Sequence, residues 1–123
     1  MPDQERKILI VEPDGRDRNR LANYLRKEGF SIETARCLTE AIKKMMASPF
    51  SCLIMDVDIP EMKGYEAVSI LKNIDSNIKI IMTTKKNSKR LEAKVREQDI
   101  FFYFIKSFGN EELLMAINNV FIH

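Results

Sequence analysis

Apolar residues along the chain form short continuous runs that alternate with stretches of helical periodicity. Four runs are almost entirely apolar and too short for helices: "KILIV" from Lys7, "CLIMD" from Cys52, "IKIIM" from Ile78 and "FFYFI" from Phe101. Continuous runs of this length are typical of strands buried on both faces, whereas "SIETA" from Ser31 alternates as a shorter strand does. The pattern therefore predicts five strands.

The segments between the predicted strands carry apolar residues three and four positions apart, which is typical of helices packed on one side. The predicted helices run from the turn "EPDG" to about Glu28, over "LTEAIKKMM", from Tyr65 to Asn73, over "NSKRLEAKVREQ" and over "NEELLMAINNVF". Gly29 is a helix stop signal for the first. The fourth is poor in apolar residues, so we expect it to be weakly anchored.

The strict alternation of strands and helices predicts an α/β fold with a doubly wound parallel sheet covered on both faces. The 123 residues suit one domain, residues 1–123. Such sheets bind ligands at the carboxyl ends of their strands. The segments that follow Val11, Asp56, Met82 and Ile105 are therefore the places where function is expected.

Composition narrows the functional classes. Twenty basic and 18 acidic residues give a net charge of +2, which predicts neither membrane nor direct nucleic-acid contact. The basic stretch "KKNSKR" is followed by acids and indicates a solvated helix face. The cysteines, Cys37 and Cys52, form no disulfide or zinc pattern. Without a signal peptide or a membrane-length apolar run, a cytoplasmic protein is expected.

Polar side chains stand where the predicted strands end. Glu12 follows the first strand, Asp56 ends the third, Thr83 and Thr84 end the fourth, and Lys106 ends the fifth. A carboxylate can act as a nucleophile toward a phosphoryl group, and a divalent cation would offset the repulsion between the anions. A lysine and a threonine hydroxyl would bind the phosphoryl oxygens. The set predicts a shallow pocket in which Asp56 accepts phosphate.

Four segments together resemble the receiver domain of bacterial two-component response regulators, and the resemblance covers the whole chain. They are the opening "ILIVEPDGRDRNRLANYLRKEGFSIETA", the acceptor segment "LIMDVDIPEMKG", the strand "KIIMTT" and the segment "YFIKSF". The separations from Asp56 to Thr84 and from Thr84 to Lys106 are also normal for that family.

The resemblance implies a flavodoxin-like five-stranded sheet of order 2-1-3-4-5 with five helices. It implies that Asp56 takes a phosphoryl group from the phosphohistidine of a histidine kinase, with Mg²⁺ as cofactor. Glu12, the Asp56 carboxylate and the backbone carbonyl of Asp58 would surround the metal, and Lys106 would pair with the phosphoryl group. The domain would be a signalling module that at most assists its own phosphotransfer and dephosphorylation, not an enzyme.

The resemblance also implies a switch and partners. Thr84 would turn its hydroxyl toward the phosphoryl group, and Tyr103 would rotate inward and change the surface of helix 4, strand 5 and helix 5. Partners would be a histidine kinase or phosphotransfer protein, and an output protein or a second copy through that surface. The sequence leaves open whether the chain is a stand-alone receiver or one domain of a larger regulator.

Three residues near the predicted site depart from the family pattern, as does the turn Asp99-Ile100 before the fifth strand, where the family often has Gly-Ala. Pro13 replaces the usual second acid, which predicts weak metal binding, and the sequence leaves open whether Asp14 substitutes. Ser107 replaces the proline after Lys106, so a trans bond is expected there. Lys85 replaces a small residue beside Thr84, where it could crowd the phosphoryl position or attract the anion.

These departures leave an alternative function. A pseudo-receiver would keep the fold as a protein-interaction module whose surface does not depend on phosphorylation. A nucleotide- or flavin-binding protein of the same fold is the third reading, but it would need a glycine- or hydroxyl-rich phosphate loop after the first strand. The acidic turn "EPDGRD" offers the opposite charge.

Overall fold

The computed structural model describes residues 6–122, and the predicted domain limits at 1 and 123 lie outside them. Its centre is one five-stranded parallel sheet in the order β2-β1-β3-β4-β5, as predicted. The strands are Lys7–Val11 (β1), Ser31–Ala35 (β2), Cys52–Asp56 (β3), Lys79–Thr84 (β4) and Phe102–Ile105 (β5). β1, β3 and β4 are apolar along nearly their whole length because both of their faces are covered.

Five helices connect the strands, which confirms the predicted count. They are Gly15–Lys27 (α1), Leu38–Ala47 (α2), Val68–Ile74 (α3), Lys89–Arg96 (α4) and Glu111–Val120 (α5). Asp14 caps α1 by accepting a hydrogen bond from the Asp17 N–H, and Gly29, at φ 95°, follows the end of that helix as predicted. Among the helices in residues 6–122, none combines the length and the apolar character that crossing a membrane requires.

The third helix differs from its predicted form. Its first turn, Gly64–Ala67, is a 3₁₀ helix, and the α-helix begins only at Val68. Gly64 lies directly against β3, where its N–H donates to the Val57 carbonyl at 2.6 Å. A Cβ at this position would lie 2.5 Å from the Asp56 carbonyl oxygen. This close approach tightens the chain where it leaves the loop after β3.

Two apolar layers cover the sheet. In β3, Cys52 and Ile54 face the layer formed with α1 and α5, whereas Leu53 and Met55 face the layer formed with α2, α3 and α4. The alternation follows from the period of two along a strand. Helix α4 contributes little, because Val95 is its one buried residue, whereas α5 buries Leu113, Ala116 and Ile117.

The register of the strands places the polar residues at one edge of the sheet. Asp56 pairs with Thr83, and Thr84 pairs with Ile105, directly before Lys106. Val11, directly before Glu12, pairs with Met55, directly before Asp56. The parallel strands therefore deliver these side chains to the same end, as the sequence predicts.

Candidate functional site

The centre of the candidate site is an ammonium group between two carboxylates. Lys106 Nζ lies 2.8 Å from Asp56 Oδ1 and also contacts Glu12 Oε1. Both acids are nearly buried, with exposed fractions of 7% for Glu12 and 8% for Asp56. The structure thus brings together three of the residues that the sequence singles out, from β1, β3 and β5.

Burial and charge act in opposite directions on these groups. Desolvation raises the pKa of Glu12, and the nearby Asp56 charge adds to the rise, although the hydrogen bond from Lys106 opposes it. Burial would lower the pKa of Lys106, but its hydrogen bonds to Asp56 and Glu12 outweigh that effect and raise it. Lys106 is therefore a firmly charged cation at the site.

The second oxygen of Asp56 is held by the backbone of the next loop. The Asp58 N–H donates to Asp56 Oδ2 at 2.8 Å, and the Thr83 hydroxyl lies 3.5 Å from Oδ1. The carboxylate is thus oriented from β4, from β5 and from its own loop. It faces a cavity of about 340 Å³ that is lined by Glu12, Pro13, Asp14, Asp56, Asp58, Thr84, Lys85, Lys86 and Lys106.

Thr84 lines this cavity without bonding to Asp56. Its hydroxyl donates to the Lys86 carbonyl at 3.1 Å and accepts from the Lys86 N–H at 3.3 Å. The side chain of Thr84 is buried, and its hydroxyl is engaged with the loop that follows β4. The hydroxyl nearest to Asp56 belongs instead to Thr83, the residue directly opposite it in the sheet.

Tyr103 already points inward in this structure. Its exposed fraction is 8%, and its hydroxyl donates to Asn87 Oδ1 at 2.7 Å. Burial raises the pKa of this hydroxyl, and Glu92 adds to the rise. The Arg96 guanidinium lies 5.9 Å from the ring centroid. The side chain is therefore tied to both the β4–α4 loop and α4.

The candidate metal ligands form a sparse set. Glu12 and Asp56 supply one carboxylate each, while the Asp58 carboxylate pairs with Lys63 at 2.7 Å and leaves only its carbonyl for a metal. Within the described part of the chain, no group of three or more acids, histidines or cysteines is arranged to hold a metal ion. Two carboxylates and a carbonyl still fit Mg²⁺, which keeps several of its waters.

Asp14 lines the same cavity, and its polar groups are engaged at the start of α1. Its carboxylate accepts the Asp17 N–H as the cap of α1, and its own N–H donates to Glu12 Oε2 at 3.1 Å.

The peptide bonds of residues 6–122 are all trans, as expected for Lys106–Ser107.

The family model of the response regulator receiver domain matches residues 8–118. The chain belongs to this family. The transcriptional regulatory protein SrrA of Staphylococcus aureus is 30% identical to this receiver domain over 110 residues, which is 89% of this chain and 45% of SrrA. The chain thus spans less than half the length of the curated relatives it matches.

Two solved receiver structures are similar over nearly their whole length. The beryllofluoride-activated NtrC4 receiver domain dimer has a TM-score of 0.87 at 25% identity, covering 94% of this chain and 96% of that chain. The response regulator TrrA from Thermotoga maritima, in complex with Mg²⁺-BeF, has a TM-score of 0.82 at 28% identity, covering 94% and 98%. The strand order of this receiver therefore has close structural counterparts.

Three residues around the receiver site escaped the sequence analysis. Asp17 lies between Lys85 and Lys106, Asn87 binds the Tyr103 hydroxyl, and Glu61 accepts the N–H groups at the start of α2. A signal existed for Asp17, because an acid in the first turn of α1 comes within a few residues of Glu12. Glu61 and Asn87 carry no local signal, since their partners are distant in sequence.

Proposed function

We propose that the chain is a phosphoacceptor receiver, residues 1–123, that takes a phosphoryl group onto Asp56 from a histidine kinase or phosphotransfer protein. The observation that carries the proposal is the Asp56 carboxylate itself. It stands at the end of β3, is oriented by Lys106 and the Asp58 N–H, and faces a cavity. A charged ammonium beside a nearly buried carboxylate suits the transfer of a dianionic group.

The proposed reaction forms one bond and breaks one. An oxygen of Asp56 attacks the phosphorus, the N–P bond of the phosphohistidine breaks, and the leaving imidazole nitrogen takes a proton. Lys106 neutralises charge on the phosphoryl oxygens as they arrive. Because Lys106 already contacts Asp56, it needs little movement to do so.

Receiver domains typically bind Mg²⁺, and Glu12, Asp56 and the Asp58 carbonyl would hold it here. A bound Mg²⁺ would supply positive charge between the carboxylates and the phosphoryl oxygens. We expect weak binding for two reasons. Pro13 has no carboxylate, and Lys106 already pairs with both Glu12 and Asp56, so it competes with the metal for these two ligands.

The proposed switch involves Thr84 and Tyr103. Phosphorylation would draw the Thr84 hydroxyl from Lys86 toward the phosphoryl group and further stabilise the inward position that Tyr103 already has. Thr84 directly precedes the β4–α4 loop, and Tyr103 contacts that loop through Asn87. The surface of α4, β5 and α5 would then be held in one conformation, which binds an output protein or a second copy of the chain.

One observation favours the alternative, a pseudo-receiver that acts by binding alone. The Lys106 ammonium bridges Glu12 and Asp56 and offsets one of their two negative charges without a metal. A site of this kind could be retained for structure, with a partner surface that does not depend on phosphorylation.

Labelling separates the two functions. Incubation of the full chain with phosphoramidate and Mg²⁺ should add the mass of one phosphoryl group to the wild type and none to Asp56→Asn. Asp58→Asn is the matched control, because it removes a neighbouring exposed carboxylate while leaving the Asp58 carbonyl, and it should still be labelled. An unlabelled wild type, or labelling that survives in Asp56→Asn, contradicts the proposal and leaves the pseudo-receiver.

A further inference from the structure

A line of alternating charges extends from Asp56 to the surface. Lys106 Nζ lies 2.8 Å from Asp56, and Asp17 Oδ2 lies 3.8 Å from Lys106 and 2.9 Å from Lys85 Nζ. Asp17 therefore stands between two lysines, one at the acceptor and one on the β4–α4 loop. Lys85 directly follows Thr84 and lines the same cavity as Asp56.

Asp17 and Lys85 differ in their exposure to solvent. Asp17 Oδ2 is shielded from solvent, and the two ammonium groups compensate it by charge rather than by a well-aligned hydrogen bond. The Lys85 side chain is 64% exposed, and its other acidic neighbour, Asp14, is 3.9 Å away. Because the Lys85 end of the pair is exposed, its ammonium can move to another anion, while Lys106 remains 3.8 Å from Asp17 Oδ2.

We propose that Lys85 is a second cationic ligand of the phosphoryl group on Asp56. While Asp56 is unphosphorylated, Asp17 forms an ion pair with Lys85 instead. This inference rests on the proposed phosphoacceptor function. A phosphorylated Asp56 carries more negative charge than the free carboxylate and presents three further oxygens. The added charge competes with Asp17 for both lysines and draws the Lys85 ammonium into the cavity.

The replacement of the usual acid by Pro13 explains why a cation at Lys85 would matter. A receiver that lacks one acidic metal ligand receives less positive charge from a metal at low Mg²⁺. A lysine of the chain supplies part of that charge at every Mg²⁺ concentration. The contribution of Lys85 should therefore be largest where Mg²⁺ is scarce.

The test follows phosphoramidate labelling of the full chain by intact mass over a series of Mg²⁺ concentrations. Lys85→Gln should slow labelling about tenfold at low Mg²⁺, the effect of one lost charge-assisted hydrogen bond, and less at high Mg²⁺. Lys85→Arg should retain most of the rate. Asp17→Asn should speed labelling, and the double variant should behave as Lys85→Gln. Lys94→Gln, an exposed lysine on α4, is the matched control and should match the wild type.

The outcomes separate this inference from the proposed function. A wild type that is never labelled overturns both. A labelled wild type with an unchanged Lys85→Gln overturns the inference alone. Faster labelling of Lys85→Gln would also overturn it, because Lys85 would then be a gate over Asp56 rather than a ligand. A Lys85→Gln defect that does not vary with Mg²⁺ overturns the proposed compensation for the missing acid.

Discussion

The loops that follow the two neighbouring strands β3 and β4 reach the same cavity but are held in different ways. The acceptor loop, residues 57–63, buries Val57 and Ile59, and the Val57 N–H donates to the Thr83 carbonyl at 2.9 Å. Gly64 closes it against β3, and Glu61 ties it to α2. Backbone bonds and buried side chains therefore fix the loop that positions Asp56.

The β4–α4 loop, residues 85–88, is exposed throughout. Its contacts with the rest of the domain run through side chains: Lys85 to Asp17, Asn87 to Tyr103, and the backbone of Lys86 to the Thr84 hydroxyl. Such contacts can be exchanged one at a time without unfolding a strand. The difference teaches that this receiver combines a rigid loop around Asp56 with a second loop that is free to change its hydrogen-bond and ion-pair partners.

Gly64→Ala tests the rigidity of the loop of residues 57–63 and should have the largest effect. The new Cβ would meet the Asp56 carbonyl oxygen at 2.5 Å, so the backbone must shift. We expect a loss of about 2–3 kcal/mol in the free energy of unfolding, measured by urea denaturation. Gly15→Ala is the control, since its Cβ would meet only the end of Arg18 at 3.4 Å, and helix propensity should make it neutral or stabilising. Equal losses in both variants would refute a special closeness at Gly64.

Glu61→Ala tests the tie between the acceptor loop and α2. The Glu61 carboxylate accepts the N–H groups of Leu38 and Thr39, both at 3.0 Å, at a helix start where Cys37 offers no side-chain cap. We expect a loss of about 1.5 kcal/mol at pH 7, in the range of helix caps. Glu97→Ala, which removes an exposed acid at the end of α4, should change stability far less.

The stability loss of Glu61→Ala should depend on pH. Desolvation opposes ionisation of Glu61, but the hydrogen bonds from Thr39 and Leu38 outweigh it and lower its pKa to about 2 from 4.5. A lowered pKa in the folded state means that the stabilisation is present above pH 4.5 and is lost as the pH falls toward 2. The stability difference between wild type and Glu61→Ala should therefore shrink over that interval. A constant difference would rule out the ionised cap.

Asn87→Ala tests the contacts of the β4–α4 loop. It removes the partner of the buried Tyr103 hydroxyl, which should cost about 1 kcal/mol. Because α4 buries only Val95, hydrogen exchange of its amides should accelerate while α5 remains protected. Asn118→Ala, at an exposed position on α5, is the control. Equal acceleration in both helices would mean that Asn87 stabilises the domain as a whole rather than α4 and its preceding loop.

Lys63→Ala should have the smallest effect. Its ion pair with Asp58 joins side chains that are 56% and 68% exposed, and pairs of this kind contribute little. We expect little change in the free energy of unfolding and unaltered phosphoramidate labelling of Asp56. A larger loss, measured by urea denaturation, would mean that charge rather than backbone packing holds the acceptor loop.

The fold could be predicted from the spacing of apolar residues within short segments of the chain. β1, β2 and β3 have the predicted bounds, because continuous apolar runs and a period of two are properties of neighbouring residues. The convergence of Glu12, Asp56 and Lys106 also followed, since parallel strands end at one edge of the sheet. The first turn of the third helix did not, because its 3₁₀ form depends on the contact of Gly64 with β3.

The partners of the site side chains came from packing between distant segments. Thr83 rather than Thr84 is the hydroxyl nearest Asp56, because the register of β3 and β4 places it directly opposite. Asp17 meets two lysines that follow β4 and β5, and Glu61 meets a helix start 22 residues earlier. Local periodicity specifies which face of a strand or helix is buried, but the choice of a hydrogen-bond partner depends on how the elements are brought together. The sequence therefore determined that Asp56 ends a buried strand at the ligand-binding edge of the sheet, whereas the charges that surround it were decided by how the distant segments pack.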